Sequence, residues 1–203
     1  MMEIIHIHYY SVIIIKKGGF MESTKILMHE HEIIKRMLNI LLKYAEDIEH
    51  NKKVSLDNMR KCVDFIKTFG DTCHHLKEED VLFVEMETHG MPRYGGPVGV
   101  MLSEHETGRG YVRAMADAID QYEKGNQSAD REFAKNAKAY AGLLSQHIDK
   151  ENNILYPMAD EMLADIDDEI IERFEEREKK LGEGVHEKYV NIIEQLEKGL
   201  SGN

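Results

Sequence analysis

Four long segments of the chain carry apolar residues at helical spacing, and this periodicity constrains the fold more than any other feature. In the first segment, Leu27, Ile34 and Leu38 belong to a series whose members alternate three and four residues apart. Such a series places one apolar stripe along a helix. The periodic segments cover residues 23–50, 56–87, 98–124 and 128–160. Because short links join them, we predict an all-α fold built on an up-down-up-down four-helix bundle.

Composition divides the chain into three parts. Residues 21–160 hold the periodic segments and are predicted to form the bundle. Residues 161–203 are more acidic and amphipathic, which predicts additional C-terminal helices that pack outside the bundle or join two copies in a homodimer. Residues 1–20 are strand-like in composition, and the codons just before Met21 can resemble a ribosome-binding site. Our hypothesis is that translation starts at Met21 and residues 1–20 are a non-native or disordered leader; an intact Met1 or Met2 terminus on the native protein would contradict it.

Charge and composition narrow the classes of partner. The formal net charge of −12 argues against nucleic acid and against an anionic membrane surface. No apolar run reaches the length of a membrane span. Cys62 and Cys73 are eleven residues apart on one predicted helix, roughly 16 Å, which is too far for a disulfide. We therefore expect a reducing, cytoplasmic location.

Each periodic segment also places one histidine in its apolar stripe: His31, His75, His105 and His147. The second segment holds two overlapping His-x-x-x-Glu pairs, and residues four apart share one helix face. The stripe selects His75 with Glu79. It leaves His74 and Glu78 rotated away, so we expect those two as neighbours of the site. His186, in the C-terminal part, is expected at the surface.

The two halves of the predicted bundle repeat this pattern. The triplet Glu-His-Glu around His31 matches the triplet around His105. The pair His75 and Glu79 is matched by His147 and Glu151. Each histidine lies at a similar distance from its connecting turn, so antiparallel neighbours would bring all four to one level.

Six buried polar groups at one level require an explanation. Leaving them unpaired would cost roughly 1–3 kcal/mol for each group. Two buried carboxylates also repel each other unless a positive charge lies between them. A buried hydrogen-bonded network of histidine and glutamate is one alternative. The stronger prediction is a dinuclear metal site, with His31, His75, His105 and His147 as terminal ligands and Glu79 and Glu151 as bridges; imidazole and carboxylate suit iron, zinc and manganese.

This arrangement resembles the hemerythrin-like, HHE cation-binding family of non-haem di-iron proteins. The resemblance covers about residues 23–160 and rests on MHEHEII, CHHLKEEDVLF, GGPVGVMLSEHETGRGYV and LLSQHIDKENNILYP. It implies two iron ions bridged by both glutamates and by an oxo or hydroxo group. It also implies reactivity toward a small diatomic or peroxide ligand, namely O2, nitric oxide or peroxide.

One departure from the oxygen-carrying members bears on function. They have a further histidine four residues after the ligand of the third helix, where this chain has Arg109. A cationic guanidinium offers no lone pair to a metal. We therefore expect a sensing, stress-response or iron-handling protein rather than a reversible oxygen carrier. The alternatives are a di-iron enzyme of the peroxidase or nitric oxide reductase type and a metal-free helical interaction module.

Overall fold

The computed structural model describes residues 20–182 and 184–201, and every regular element within these ranges is helical. The prediction of an all-α fold is therefore confirmed. The α-helices are α1 (Glu22–Glu49), α2 (Leu56–Phe65), α3 (Phe83–Thr88), α4 (Pro97–Glu123), α5 (Ala129–Lys150), α6 (Tyr156–Leu163), α7 (Asp167–Leu181) and α8 (Val185–Ser201). The predicted leader, apart from Phe20, lies outside the described residues.

Wider, π-helical turns interrupt the long helices close to their histidines. They are π1 (Ile66–His75) and π2 (Glu78–Leu82), which link α2 to α3, and π3 (Glu151–Leu155), which links α5 to α6. A π turn bonds residue i to residue i+5 and holds more residues than an α turn. Residues beyond it are therefore rotated relative to a regular helix. As a result His74, His75 and Glu78 are all buried, while Glu79 is only partly buried.

A polar layer separates two apolar clusters of the core. α1, α2 and α4 pack with α5 or with one another. One cluster holds Leu41, Phe69, Met115 and Phe133, and the other holds Leu27, Phe83, Val98 and Tyr156. In each long helix the residues between the two clusters are the histidines and glutamates described below. The fold thus isolates these side chains from water at one level.

The C-terminal part of the chain is anchored to the bundle at several points. The Asp167 carboxylate accepts hydrogen bonds from the backbone N–H of Glu22 at 2.7 Å and of Ser23 at 3.1 Å. These N–H groups open α1 and have no partner within their own helix, so the carboxylate both pairs them and faces the positive end of the helix dipole. Phe174 in α7 and Tyr189 in α8 are fully buried. Both helices are therefore docked along α1.

The two cysteines lie in the core of the fold. Cys62 and Cys73 are buried and free. Burial raises the pKa of the Cys62 thiol to about 12, so it is an inert core residue. Within the described ranges, no helix is long and apolar enough to cross a membrane.

Candidate metal centre

Seven buried side chains from the four long helical segments meet in the polar layer. The residues are His31, His74, His75, Glu78, His105, His147 and Glu151. α1 and α4 each contribute one histidine from a regular α-helix. The other five residues lie at the ends of π1 and α5 or at the starts of π2 and π3. The π turns therefore gather these side chains, in agreement with the tendency of such turns to occur at functional sites.

Four of these residues form a first group of potential ligands. His31, His74, Glu78 and Glu151 each offer one donor atom, and these atoms lie within 4.8 Å of one another. The Nε2 of His31 is 3.2 Å from Oε2 of Glu151. The Nε2 of His74 is 3.8 Å from Oε2 of Glu78. Two imidazoles and two carboxylates thus converge on one point.

A second group, formed by His75, Glu78, His105 and His147, lies beside the first. The rings of His75 and His105 stack with their centroids 3.9 Å apart. The Nε2 atoms of His105 and His147 face each other at 3.0 Å. The Oε2 of Glu78 is 3.5 Å from the Nε2 of His105. Three imidazoles and a carboxylate therefore converge on a second point.

The two carboxylates connect the groups. Glu78 belongs to both. Glu151 directs Oε2 toward His31, while its Oε1 lies 2.9 Å from the Nε2 of His147. Carboxylates in such a position can bridge two cations, because each oxygen can serve a different ion.

Polar atoms on the donors of both groups have no hydrogen bond among the described residues. They are Nε2 of His74, Oε2 of Glu78 and both carboxylate oxygens of Glu151. Nitrogen atoms lie close to the Glu151 oxygens, but the contacts lack hydrogen-bond geometry. Unpaired buried groups of this kind are rare and costly. Together with the two facing Nε2 atoms, they fit a site that takes cations.

Hydrogen bonds on the far side of each ring fix the orientation of the five histidines. In every case Nδ1 contacts a side-chain oxygen, and the partners are Asn152 for His31 (2.8 Å), Glu30 for His74 (2.9 Å), Asp71 for His75 (3.3 Å), Glu79 for His105 (2.6 Å) and Glu104 for His147 (2.9 Å). An Nδ1–H that donates outward leaves the lone pair of Nε2 pointing inward. This arrangement is typical of metal-binding histidines.

Burial shifts the pKa values of several side chains in the layer. It favours neutral imidazoles at His74 and His75 and a protonated carboxyl at Glu78. Burial lowers the pKa of His74 to about 4. Burial, together with the neighbouring His105, lowers the pKa of His75 well below its usual value. Burial and the adjacent Glu151 raise the pKa of Glu78 well above its ordinary range. Two close carboxylates of this kind share a proton unless another cation replaces it.

Glu151 and His105 are shifted the other way by their neighbours. Burial opposes the charge on Glu151, but the imidazoles of His147, His105 and His31 outweigh it and hold the pKa well below its ordinary range. Burial likewise opposes protonation of His105, but contacts with Glu151 and Glu79 outweigh it and raise the pKa. The layer thus attracts positive charge to its centre.

Of the six predicted ligands, the structure brings together His31, His75, His105, His147 and Glu151, and it places Glu79 outside both groups. The Glu79 carboxylate accepts hydrogen bonds from Nδ1 of His105 and from the Arg109 guanidinium, the latter at 2.8 Å. Glu78, and not Glu79, belongs to both groups of potential ligands. The prediction for Glu79 assumed 3.6 residues per turn along the whole second helix. The π turns in that helix change which residues face the core.

The sequence holds a signal for Glu78 that the apolar stripe does not capture. With a single spacing of 73 residues, the residues of the second long helix match those of the last, namely His74 with His147, Lys77 with Lys150, Glu78 with Glu151 and Leu82 with Leu155. Pairing His75 with His147 needs a spacing of 72, which places Asp149 opposite Lys77. The lysine and leucine matches therefore align His74 with His147, and His75 is an additional histidine.

Arg109 lies at the edge of the layer and binds carboxylates rather than the centre. Its guanidinium lies 2.7 Å from Asp71, 2.8 Å from Glu79 and 2.8 Å from Glu106. Asp71 and Glu79 are the outer partners of His75 and His105. Arg109 thus holds in place the two carboxylates that orient these histidines.

A cavity of about 140 Å³ opens onto His75 and His105. Its other walls combine the side chains of Ile66, Val112, Tyr140 and Leu144 and the backbone at Gly108 with five charged residues, namely Lys67, Asp71, Glu104, Arg109 and Arg113. Most of the exposed wall area is nevertheless apolar. Space of this size holds several water molecules, so a small molecule could reach the second group of ligands.

A third cluster of ionisable groups lies outside the layer. It consists of Glu30, Cys73, Glu178 and His186. The Lys77 ammonium, fully buried, contacts the carboxylates of both Glu30 and Glu178. A positive charge therefore already lies between these carboxylates, which makes the cluster a charge network. The expectation that His186 lies at the surface is wrong, since its side chain is only 15% exposed.

Comparison with known proteins identifies a family. The family model described as the hemerythrin HHE cation binding domain matches residues 22–159. Uncharacterised proteins of Mycobacterium bovis and Mycobacterium tuberculosis are 22% identical over 176 residues, which cover 86% of this chain and 68% of each relative. No solved structure matches. The family model spans well over half of the chain and includes every residue of the two ligand groups, so the chain belongs to the hemerythrin HHE cation-binding domain family.

Proposed function

We propose that this protein binds two metal ions, iron in the first instance, in a non-haem dinuclear centre within the polar layer. The observation that carries the proposal is that two buried carboxylates, Glu78 and Glu151, connect the two donor groups, and that three of their four oxygens have no hydrogen bond among the described residues. His31 and His74 would bind one ion, His75, His105 and His147 the other, and Glu78 and Glu151 would bridge them. Zinc and manganese accept the same donors. We also propose that the helices form an up-down-up-down four-helix bundle around the centre.

This ligand set differs from the sequence-based one in three residues. His74 and Glu78 are added as ligands. Glu79 becomes the outer partner that orients His105. The change is supported by burial, because Glu78 is fully buried between the groups, whereas the side chain of Glu79 is 16% exposed and paired with Arg109.

We further propose that the centre binds O2, nitric oxide or peroxide, and that the protein senses these molecules, responds to the stress they cause or handles iron in the cytoplasm. Two bound irons would supply electrons and open coordination positions for such a ligand. The cavity beside His75 and His105 supports the proposal, because it provides open space next to two residues of the second ligand group. Its apolar walls favour small, weakly polar molecules.

The surrounding residues would hold the centre in a single geometry. Tyr156 donates a hydrogen bond from its hydroxyl to Oε1 of Glu78 at 2.7 Å. That contact leaves Oε2 of Glu78 directed at the imidazoles. Arg109 fixes Glu79 and Asp71, which in turn fix the rings of His105 and His75. These contacts reduce the rearrangement needed when metal binds.

A di-iron enzyme of the peroxidase or nitric oxide reductase type is the second candidate. The volume of the cavity favours it, because that space exceeds the needs of one diatomic molecule. The sensing protein and the enzyme would use the same metal-binding residues. They would differ in whether the small molecule is turned over.

Rapid mixing separates these functions. The protein is loaded with Fe²⁺ without oxygen and is then mixed separately with O2, nitric oxide and hydrogen peroxide while its absorption is followed. A sensing role predicts a spectral change that ends after one equivalent per centre with at least one of the three. Continued consumption of peroxide or nitric oxide with a reductant present would favour the enzyme. No spectral change with any of them, at full iron content, would contradict both.

A further inference from the structure

Two matching sets of contacts, each running from a lysine through a glutamate to a histidine, lie on the Nδ1 side of His74 and His147. Each set is called a relay below. In the first, the Glu30 carboxylate contacts Nδ1 of His74 with one oxygen and the Lys77 ammonium with the other. In the second, Glu104 contacts Nδ1 of His147 and the Lys150 ammonium in the same way. In each relay the glutamate directly precedes a histidine of the centre, and the lysine follows the oriented histidine by three residues. Each relay therefore sets the direction of one imidazole.

The relays differ in what covers them. The Lys150 side chain is 35% exposed, and Glu104 is 18% exposed. Lys77 and Glu30 are buried, at 0% and 1%. Exposed charges are stabilised by water, while buried ones depend on their partners. The first relay is thus sensitive to the elements that enclose it.

Helices α7 and α8 provide that enclosure. Glu178 of α7 gives the Lys77 ammonium its second carboxylate. The Nε2 of His186, in α8, lies 3.3 Å from Oε1 of Glu30 and 3.3 Å from Oε1 of Glu178. The two helices therefore place an anion and an imidazole directly against the relay. Both lie beyond residues 22–159, the part matched by the family.

We propose that α7 and α8 act as a positioning element for the metal position formed by His31 and His74. Glu178 and His186 hold Lys77 and Glu30 in place, and Glu30 holds the His74 ring with Nε2 directed into the centre. This inference rests on the proposed dinuclear site. It assigns the C-terminal helices a role in metal affinity at one position, with the second position held by the relay of Glu104 and Lys150.

The variant Glu178→Gln tests the inference, with Glu175→Gln as the matched control. Glu175 lies on the same helix, and its carboxylate contacts only Lys179, at 3.7 Å, among the ion pairs of the described residues. Titration with Fe²⁺ under anaerobic conditions measures the stoichiometry and affinity of each variant. We expect Glu178→Gln to weaken one of two binding steps by about tenfold, the lower end of the effect of outer partners on metal affinity. The control should match the wild type.

Hydrogen exchange gives a readout that a simple packing role would not change. In the wild type, metal should slow exchange in α8 as well as in α4 and α5. In Glu178→Gln the slowing in α8 should be reduced, while that in α4 and α5 persists. If the wild type binds two ions and Glu178→Gln has the same affinities and the same slowing in α8, the inference is wrong. A wild type that binds no metal would instead overturn the proposed function.

Discussion

At the scale of single residues, adjacent side chains of the same type have different environments. Glu78 and Glu79 differ by one position, yet Glu78 lies between the two ligand groups and Glu79 faces Arg109. His74 and His75 likewise belong to different groups. These assignments depend on about 100° of rotation per residue. The chemistry of the layer is therefore set by helix register more than by composition.

The buried Lys77 provides a test of the charge network at this scale. Replacing Lys77 with Met removes the ammonium, so the buried carboxylate of Glu30 keeps only the imidazoles of His74 and His186 among the partners described above. We expect a loss of about 3–5 kcal/mol in the free energy of unfolding, measured with urea on the metal-free protein. The matched change Lys150→Met should cost less than about 1 kcal/mol, because that lysine is partly exposed. Equal losses would contradict the difference between the two relays.

The carboxyl group of Glu178 makes the stability depend on pH. Burial opposes its charge, but His186 and Lys77 outweigh burial and lower its pKa from 4.5 to about 2. A carboxyl whose pKa is lowered by folding stabilises the fold above pH 4.5, and this stabilisation is lost as the pH falls toward 2. As the pH is lowered from about 5.5 to about 3, the metal-free wild type should therefore lose more free energy of unfolding than Glu178→Gln. Each unit of difference in pKa between the folded and unfolded states corresponds to about 1.4 kcal/mol. If the urea midpoints of the two proteins change with pH by the same amount, the Glu178 carboxyl is not responsible for the loss of stability.

At the scale of helices, the π turns explain why sequence analysis identified most, but not all, of the buried residues of the polar layer. The apolar stripe correctly predicts that His31, His105 and His147 are buried, because α1, α4 and most of α5 keep regular α-helical spacing. It fails between 66 and 82, where two π segments change the register. Glu178 and His186 escape prediction for another reason, since their contacts with Glu30 depend on how distant helices dock. Nothing in their local spacing distinguishes them from solvated residues.

The cavity along α4 leads to a prediction about ligand access. Val112 is buried and lines the cavity, whereas Val100 on the same helix is 48% exposed. Val112→Phe should fill part of the space and slow the association of nitric oxide with the iron-loaded protein on the order of tenfold, about 1.4 kcal/mol in the barrier. Iron content should stay at the wild-type level.

Val100→Phe is the control for the added ring, and its association rate should equal that of the wild type. Stopped-flow absorption gives both rates. If Val112→Phe reacts as fast as the control, the ligand reaches the centre by another path.

At the scale of the whole molecule, two apolar clusters enclose one polar layer, and the C-terminal helices close one side of it. An apolar core of this size would be more stable without buried carboxylates, because each removes a charged group from water. A layer that retains two of them with unpaired oxygens, and five imidazoles turned toward them, is therefore organised for cations. The acidic surface, with a formal net charge of −12, adds a field that attracts them.

The most direct test is the iron content of three variants, Glu78→Ala, Glu151→Ala and Glu79→Ala, beside the wild type. Each is reconstituted without oxygen and desalted, and helical content by circular dichroism confirms folding. We predict two irons per chain for the wild type and for Glu79→Ala, and fewer than two for Glu78→Ala and Glu151→Ala, since these are the two carboxylates that contact both ligand groups within the described part of the chain. Two irons retained in Glu78→Ala, together with a loss in Glu79→Ala, would contradict the bridge assigned to Glu78.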